Sequence, residues 1–400
     1  MEFEGGKRME FICAKEYLIR GIKIASYALG TRSAMPILAG VKLETKGDRL
    51  YIYATDLEKS IQCVVPIENR AKDEAIVLDG TVLSQIATHL PPDDKVSVRT
   101  ITGADESGGM KVRLQSGEAT FDLLTLSLDD YPEIPQLPET KVCSINKRLL
   151  QRGLYQTTFA ALKIGETTRI SLTGVNMLFK DNGVQLLATN GYRLALKRIE
   201  VQDLASDGEY LIDATALAAL DTQVLSVVDD DVVEIYRNGA QLFFKMRDVT
   251  GMTKVIEEEF PNFDRVIPQK HRIGLIFERI ALLDTLQRMA ITATKESGAI
   301  VMHANRGETA IQVSSSSPDK GKTEERVRLK REPGEEIEIV FRGEFLIDAL
   351  KRIASEEVVL WLTEADKAGL LEPRAENDAL ESDTGFIYLC MPIDPIGKSS

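Results

Sequence analysis

Thr189, Tyr192, Arg193 and Leu194 place a hydroxyl, an aromatic ring, a guanidinium and an aliphatic side chain around one Asn190-Gly191 pair. Side chains of that mix suit the binding of a partner, with an apolar anchor inside a polar rim. A β-turn alone would also explain the pair, because a two-residue Asn-Gly loop supplies the positive φ angles of a type I′ hairpin. Residues 184–196, VQLLATNGYRLAL, are therefore read as a hairpin whose tip carries recognition residues.

Groups that could perform catalysis are dispersed. His89, His271 and His303 are isolated, and the chain has neither an HExxH pair nor a Gly-x-Ser-x-Gly elbow. Asp129-Asp130, Asp229-Asp230-Asp231 and Glu257-Glu258-Glu259 could be imagined as metal or acid-base carboxylates, which keeps a hydrolase open as a reading. Each run adjoins a turn or connector, where such charge is usually solvated surface. Gly397-Lys398-Ser399 has Pro392 where a phosphate loop needs its first glycine. Cys13, Cys63, Cys143 and Cys390 lie too far apart for a CxxC site or a disulfide framework, which indicates a reducing, cytoplasmic setting. No catalytic residue, metal ligand or cofactor is expected.

The elements that must position the recognition residues follow from an internal repeat. Leu18-Ile19-Arg20-Gly21-Ile22 matches Leu150-Gln151-Arg152-Gly153-Leu154 at an offset of 132, and a further 132 reaches the i, i+4 pair Leu282 and Leu286. Each opens an amphipathic helix. Second helices begin near Val82, Ala216 and Phe345, and period-two runs at 50–53, 95–99, 112–114, 232–236, 241–245 and 358–362 read as strands. Two proline-stiffened segments, LDDYPEIPQLP at 128–138 and EEFPNFDRVIP at 258–268, fall at the repeat boundaries. The expected organisation is an N-terminal extension (1–8), three units (9–138, 139–268 and 269–393) and a C-terminal tail (394–400). With 400 residues, 44% of them hydrophobic, the chain can bury large cores. Its net charge of -13 argues against gripping nucleic acid by bulk positive charge. No apolar run is long enough to span a membrane.

Five stretches in order, TRSAMPIL (31–38), YPEIP, LLATNGYRLAL, FPNFDRVIP and YLCMPI (388–393), together resemble the bacterial DNA sliding clamps, the beta subunits of DNA polymerase III. The resemblance covers residues 9–393 and implies an α+β chain of three similar domains of the DNA-clamp fold. Helices would line the inside and antiparallel sheets the outside of a ring-shaped homodimer. It implies a processivity factor with no enzymatic activity that encircles duplex DNA regardless of sequence. Its implied partners are the DNA polymerase III alpha subunit, an ATP-driven clamp loader, and other polymerases and repair proteins.

Carried over residue by residue, the partner-peptide pocket falls on Leu172, Thr189, Gly191, Tyr192, Arg193, Leu194, Pro261, Arg265, Val266, Leu389, Met391 and Pro392. Arg193 and Arg265 would hold the peptide's polar atoms. DNA contacts fall on Arg32 and Arg169, and the dimer interface on Phe121 and Leu123 facing Ile291 and Thr292. The chain departs from the family in having Tyr192 where a histidine is frequent, in extending past the usual end, and in lacking a basic pair at Asp213-Ala214-Thr215. The six helices read from periodicity carry a net +3, leaving -16 to the rest. That segregation suits a ring sliding on phosphates. An acidic interaction scaffold that never meets DNA is the alternative reading.

Overall fold

Amphipathic periodicity produces helices at all six expected places: Lys15–Ala25, Gly80–His89, Lys147–Thr157, Ala214–Ala219, Arg279–Thr292 and Gly343–Leu350. This computed structural model describes residues 9–30, 35–92, 94–102, 110–263, 266–268, 270–374 and 383–394. The N-terminal extension, Arg32, Arg265 and residues 395–400 of the tail lie outside the described residues. Two of the helix starts show the repeat at atomic level. Asp79 Oδ1 accepts from Val82 N and, 134 residues on, Asp213 Oδ1 accepts from Ala216 N, both at 2.8 Å. Each carboxylate thus serves one of the N–H groups that a helix start leaves unpaired.

The repeated glycines have a packing reason. A Cβ on Gly21 would lie 2.3 Å from Ile52 Cδ1, and one on Gly153 would lie 2.6 Å from Leu186 Cδ1. Both helices therefore approach their strands more closely than any side chain at these positions would allow.

Packing groups the chain into two compact units, residues 1–147 with 218–255, and residues 148–217 with 256–400. The middle third of the sequence contributes to both. In the first unit Val249–Lys254 lies antiparallel to Lys59–Pro66 with Val249 opposite Cys63, so one thirteen-stranded sheet runs through the unit. In the second, Arg193–Glu200 lies antiparallel to Phe386–Cys390 with Leu194 opposite Leu389, giving an eight-stranded sheet. A four-stranded sheet ending on Gly321–Arg328 completes that unit.

Side-chain alternation gives the eight-stranded sheet two different faces. One packs on helix Lys147–Thr157, with Leu186 and Ile199 against Gly153. The other buries Leu187, Leu194, Leu196, Leu370 and Leu389 beneath Phe260, Phe263, Ile267 and Met391. The second proline-rich connector is thus a lid on an apolar sheet face. The first is anchored by Tyr131, whose hydroxyl donates to the Tyr53 carbonyl at 3.1 Å. Among the described residues no helix is long and apolar enough to cross a membrane.

The hairpin over 184–196 forms, joining Gly183–Thr189 to Arg193–Glu200, but its turn is not the expected type I′. Gly191 has φ +89° while Asn190 is absent from the left-handed residues. Asn190 Oδ1 instead accepts from the N–H groups of Tyr192 and Arg193, and Thr189 Oγ1 accepts from Gly191 N and donates to the Arg193 carbonyl. The asparagine supplies a side-chain acceptor rather than a positive φ. A two-residue loop with both φ positive occurs one hairpin earlier, at Asp181 (+53°) and Asn182 (+55°).

The same pattern recurs at Thr55 and Asp56, a carboxylate oxygen taking the place of the amide oxygen, with Leu57 at φ +74° where Gly191 stands in the later copy. A left-handed leucine costs roughly 1–2 kcal/mol in Cβ crowding. Leu57 is 43% exposed, so little packing is lost on its removal. Leu57→Gly is expected to stabilise the protein by about 0.5–1 kcal/mol after the entropy cost of glycine. Urea unfolding of both proteins checks the sign; a lower midpoint for the variant would contradict it.

Candidate partner-binding site

Leu194 and Leu389 face each other across neighbouring strands, and the chain leaves the second strand through Met391, whose N–H donates to the Tyr192 carbonyl at 2.8 Å. That bond ties the turn at 190–192 to the end of the last strand. The connector crosses beside them, and the short 3-10 helix Ile170–Thr173 adds Leu172 from the next edge. Together they surround an open cavity of about 190 Å³. An apolar cavity of roughly 150 Å³ already accommodates benzene, so this one has room for a bulky side chain.

Ten of the twelve expected pocket residues line it: Leu172, Thr189, Gly191, Tyr192, Arg193, Leu194, Pro261, Val266, Leu389 and Met391. Pro392 is not in the lining, and Arg265 is outside the described residues. Arg169, expected at DNA, stands in the lining with Asn262 and Phe263. The last two went unnoticed in the sequence because the resemblance supplied the residues of the pocket. The connector's own spacing, Phe260 and Phe263 around Pro261, was the available signal. Leu194 and Leu389 are buried at 5% and 2% exposure, so they form the floor. Val266 and Tyr192, at 45% and 64%, form the rim.

Arg193 lines the cavity and is also held from within the fold. Its Nη1 donates to Asp348 Oδ2 at 2.7 Å and its Nη2 to the Phe159 carbonyl at 2.6 Å. The guanidinium lies between the rings of Phe159 and Phe345, 5.2 and 4.7 Å from their centroids. The two hydrogen bonds brace Arg193 in the cavity lining, where the resemblance expects it.

Four residues along the same strand, and on the face opposite to Leu194, Lys197 is buried beside the helix. Its Nζ donates to the Thr384 carbonyl at 2.7 Å. The adjacent Asp383 carboxylate accepts from Arg152 Nη2 at 2.5 Å, Gln156 Nε2 at 2.8 Å, Ala354 N at 2.7 Å, and Ser355 N and Oγ. Burial pushes the Asp383 carboxyl up, but Arg152 and the Ser355 and Ala354 amides outweigh it and hold the group below its ordinary value. Lys197 goes down to about 8, chiefly through burial, with Arg152 adding to the shift and Asp383 opposing it.

The expected interface residues lie elsewhere. Phe121 and Leu123 are half-buried on Ala119–Leu126, a strand that pairs along most of its length with Met110–Ser116 and touches Ala75–Asp79 only through Thr125 and Leu126. In the second unit Ile291 is 67% exposed. Thr292 Oγ1 is hydrogen-bonded to the hydroxyls of Ser315 and Thr323 at 2.7 and 2.8 Å. All four cysteines are free and buried, and burial pushes each thiol up to about 12. No group of three or more potential metal ligands is present among the described residues.

Residues 9–135, 144–262 and 264–384 match, respectively, the N-terminal, central and C-terminal domains of the DNA polymerase III beta subunit. The chain belongs to the DNA polymerase III beta subunit family. A beta sliding clamp of Staphylococcus aureus is 27% identical over 380 residues, which are 93% of this chain and 98% of that protein. The crystal structures of the DNA polymerase sliding clamp from Bacillus subtilis and of the beta subunit from Thermotoga maritima each superpose with a TM-score of 0.85. Each is 26% identical, over 97% of this chain and 100% of theirs. The chain is accordingly a sliding clamp of DNA replication, a DNA polymerase processivity factor of three similar α+β domains, and the reading as a scaffold without DNA is not favoured.

The buried lysine behind the site has a pH signature. Between about 8 and its ordinary 10.5, Lys197 holds its proton in the unfolded chain more than in the folded one. Stability therefore rises with pH across that window, and below it the group contributes no slope. Thermal melts of the parent and Lys197→Met are expected to show the parent gaining on the variant from pH 8 to 10.5. A constant difference would contradict the assignment.

Proposed function

We propose that the chain acts as a head-to-tail homodimer, each protomer contributing domains 9–138, 139–268 and 269–393 to a closed ring around duplex DNA in the cytoplasm. The ring is a tether and performs no chemical step. It engages the DNA polymerase III alpha subunit, and in turn other polymerases and repair proteins, by seating an apolar peptide side chain in the cavity floored by Leu194 and Leu389. The observation that carries this reading is the opening itself: an apolar floor, a mixed rim and ten residues drawn from four separate segments. A ring-opening, ATP-driven loader is the further partner, since the chain offers no nucleotide loop of its own.

Two free strand edges support closure. Among the described residues, Ala119–Leu126 has an open side over most of its length, and Gly321–Arg328 ends its sheet. Unpaired edges invite pairing with another chain. Phe121 and Leu123 of one protomer would meet Ile291 and Thr292 of the next. Arg32 and Arg169 are the proposed phosphate contacts, and the position of Arg169 in the cavity lining supports a peptide contact as well.

Met391→Ala is expected to weaken a fluorescently labelled alpha-subunit tail peptide by roughly thirtyfold, the effect of losing about 2 kcal/mol at a hot spot. Met391 is the sharper probe because Leu194→Ala would also open a core cavity. Unchanged anisotropy titrations with folded Met391→Ala would sink the pocket assignment.

Phe121→Ala is expected to shift the dimer towards monomer in sedimentation at micromolar concentration. Parent protein loaded on a nicked circle should remain there and run off once the circle is linearised. Equal retention on both forms would refute encirclement.

A further inference from the structure

The chain carries three Asn-Gly steps, at 182–183, 190–191 and 238–239. In such a step the backbone nitrogen of the glycine can attack the side-chain amide carbon of the asparagine, because no Cβ crowds its approach. The turn at 190–191 assembles the parts that this reaction needs. Gly191 N, the nucleophile, donates its hydrogen to Thr189 Oγ1 at 3.1 Å, so an acceptor already stands on the proton that must be given up. The carbon under attack belongs to the Asn190 amide, whose Oδ1 accepts from Tyr192 N and Arg193 N, both at 2.9 Å. Attack places negative charge on that oxygen, and two backbone N–H groups at this distance are the arrangement that stabilises an oxyanion. Of the three asparagines, Asn190 is the one whose side-chain oxygen, among the described residues, holds such a pair. Gly191 is exposed, and a Cβ added to it would meet no atom within 4 Å, so water has access.

The earlier copy of the turn contains the residue that the reaction would produce. Asp56, at the place of Asn190, accepts from Glu58 N and Lys59 N at 3.0 and 2.6 Å through Oδ1, so an aspartate at 190 fits the same bonds. Two differences make the later copy the labile one. Leu57 puts a side chain where Gly191 has none, and Lys59 neutralises Asp56 whereas Arg193, at the place of Lys59, is paired with Asp348.

We propose that Asn190 is a self-modification site, at which the turn promotes its own deamidation. The bond from Gly191 N to Asn190 Cγ forms and the Cγ–Nδ2 bond breaks. The Gly191 proton leaves with Nδ2 as ammonia, and a five-membered imide remains. Water then opens the imide, with no oxidant or reductant involved. Cleavage of the new N–Cγ bond gives aspartate, which keeps the turn and adds a negative charge beside the cavity. Cleavage at the main-chain carbonyl gives isoaspartate, which lengthens the backbone by one carbon and removes the side-chain acceptor from the Tyr192 and Arg193 N–H groups. The Tyr192 carbonyl, which accepts from Met391 N at 2.8 Å, then loses its seat, and the cavity wall with it. The effect on partners rests on the peptide-docking reading of that cavity; the modification itself does not.

The test ages full-length protein at neutral and at mildly alkaline pH and follows each Asn-Gly step by peptide mapping in a mass spectrometer. Asn190 should convert several-fold faster than Asn182 and Asn238, and faster than in a free synthetic peptide of residues 184–196, with a rate that rises with pH. Urea should level the three steps. Asn190→Gln, whose longer side chain must close a six-membered ring, should release no ammonia from this position. Aged protein should bind the labelled alpha-subunit tail peptide more weakly in proportion to its isoaspartate, by about tenfold when conversion is complete. Protein isoaspartate methyltransferase, which returns isoaspartate to aspartate, should restore the affinity, and Asn190→Asp should stay within a few-fold of the parent. Equal rates at the three steps in folded protein, a slower rate than in the free peptide, or undiminished binding by isoaspartate-bearing protein would overturn the proposal. If fresh parent fails to bind the peptide, the docking reading has failed, and the ageing rates alone decide for or against the modification site.

Discussion

The antiparallel pairing of Arg193–Glu200 with Phe386–Cys390 is the constraint on which the second unit depends. It joins segments almost two hundred residues apart in sequence, so a large loop-closure cost must be met by what the pairing buries. The register decides everything that follows. Leu194 opposite Leu389 and Leu196 opposite Ile387 point towards the connector, while Ala195 and Lys197 point towards the helix. Because side chains alternate, a slip of one residue would drive Lys197 under the connector and Leu194 into the helix face. Floor and rim would vanish together.

The polar groups behind the sheet select that register. Asp383 is buried only because five donors converge on it, from Arg152, Gln156, Ala354 and Ser355. Lys197 next to it reaches the Thr384 carbonyl, and Arg193 reaches Asp348. Buried ions of this kind add little net stability over an apolar packing, but removing one partner leaves another stranded. The network therefore penalises misaligned pairings more than it strengthens the correct one. The recognition surface on one face of the sheet inherits its geometry from charges on the other.

Much of this was legible locally. Helices appeared where the i, i+4 apolar pairs placed them, and the repeat that aligned Gly21 with Gly153 gained its packing reason only from the structure, where both press against strands. What local sequence could not show is which partner a side chain finds at long range. Nothing near Arg193 announces that Asp348 will brace it, and Asn190 read as a positive-φ residue because its side chain's alternative, accepting two backbone N–H groups, looks the same in sequence.

The internal repeat also explains why one unit carries an apolar cavity where its counterpart carries a polar one. Thr55-Asp56 and Thr189-Asn190 build the same turn from the same hydrogen bonds, 134 residues apart. The following strands then pair with an equivalent partner, Ser60 opposite Met252 in the first unit and Leu194 opposite Leu389 in the second. The scaffold is shared, but its contents are not. At the place of Leu194 the first unit has Ser60, and at the place of Arg193 it has Lys59, paired with Asp56 at 2.5 Å. The opening beside that sheet is lined by Ser60, Gln62, Lys245 and Thr250 along with connector residues 134–137. A hydroxyl and an amide there remain content with water, whereas the leucines of the second unit gain by exchanging water for a partner's apolar side chain. One turn, copied with a serine-to-leucine difference beneath it, is enough to separate a structural corner from a docking site.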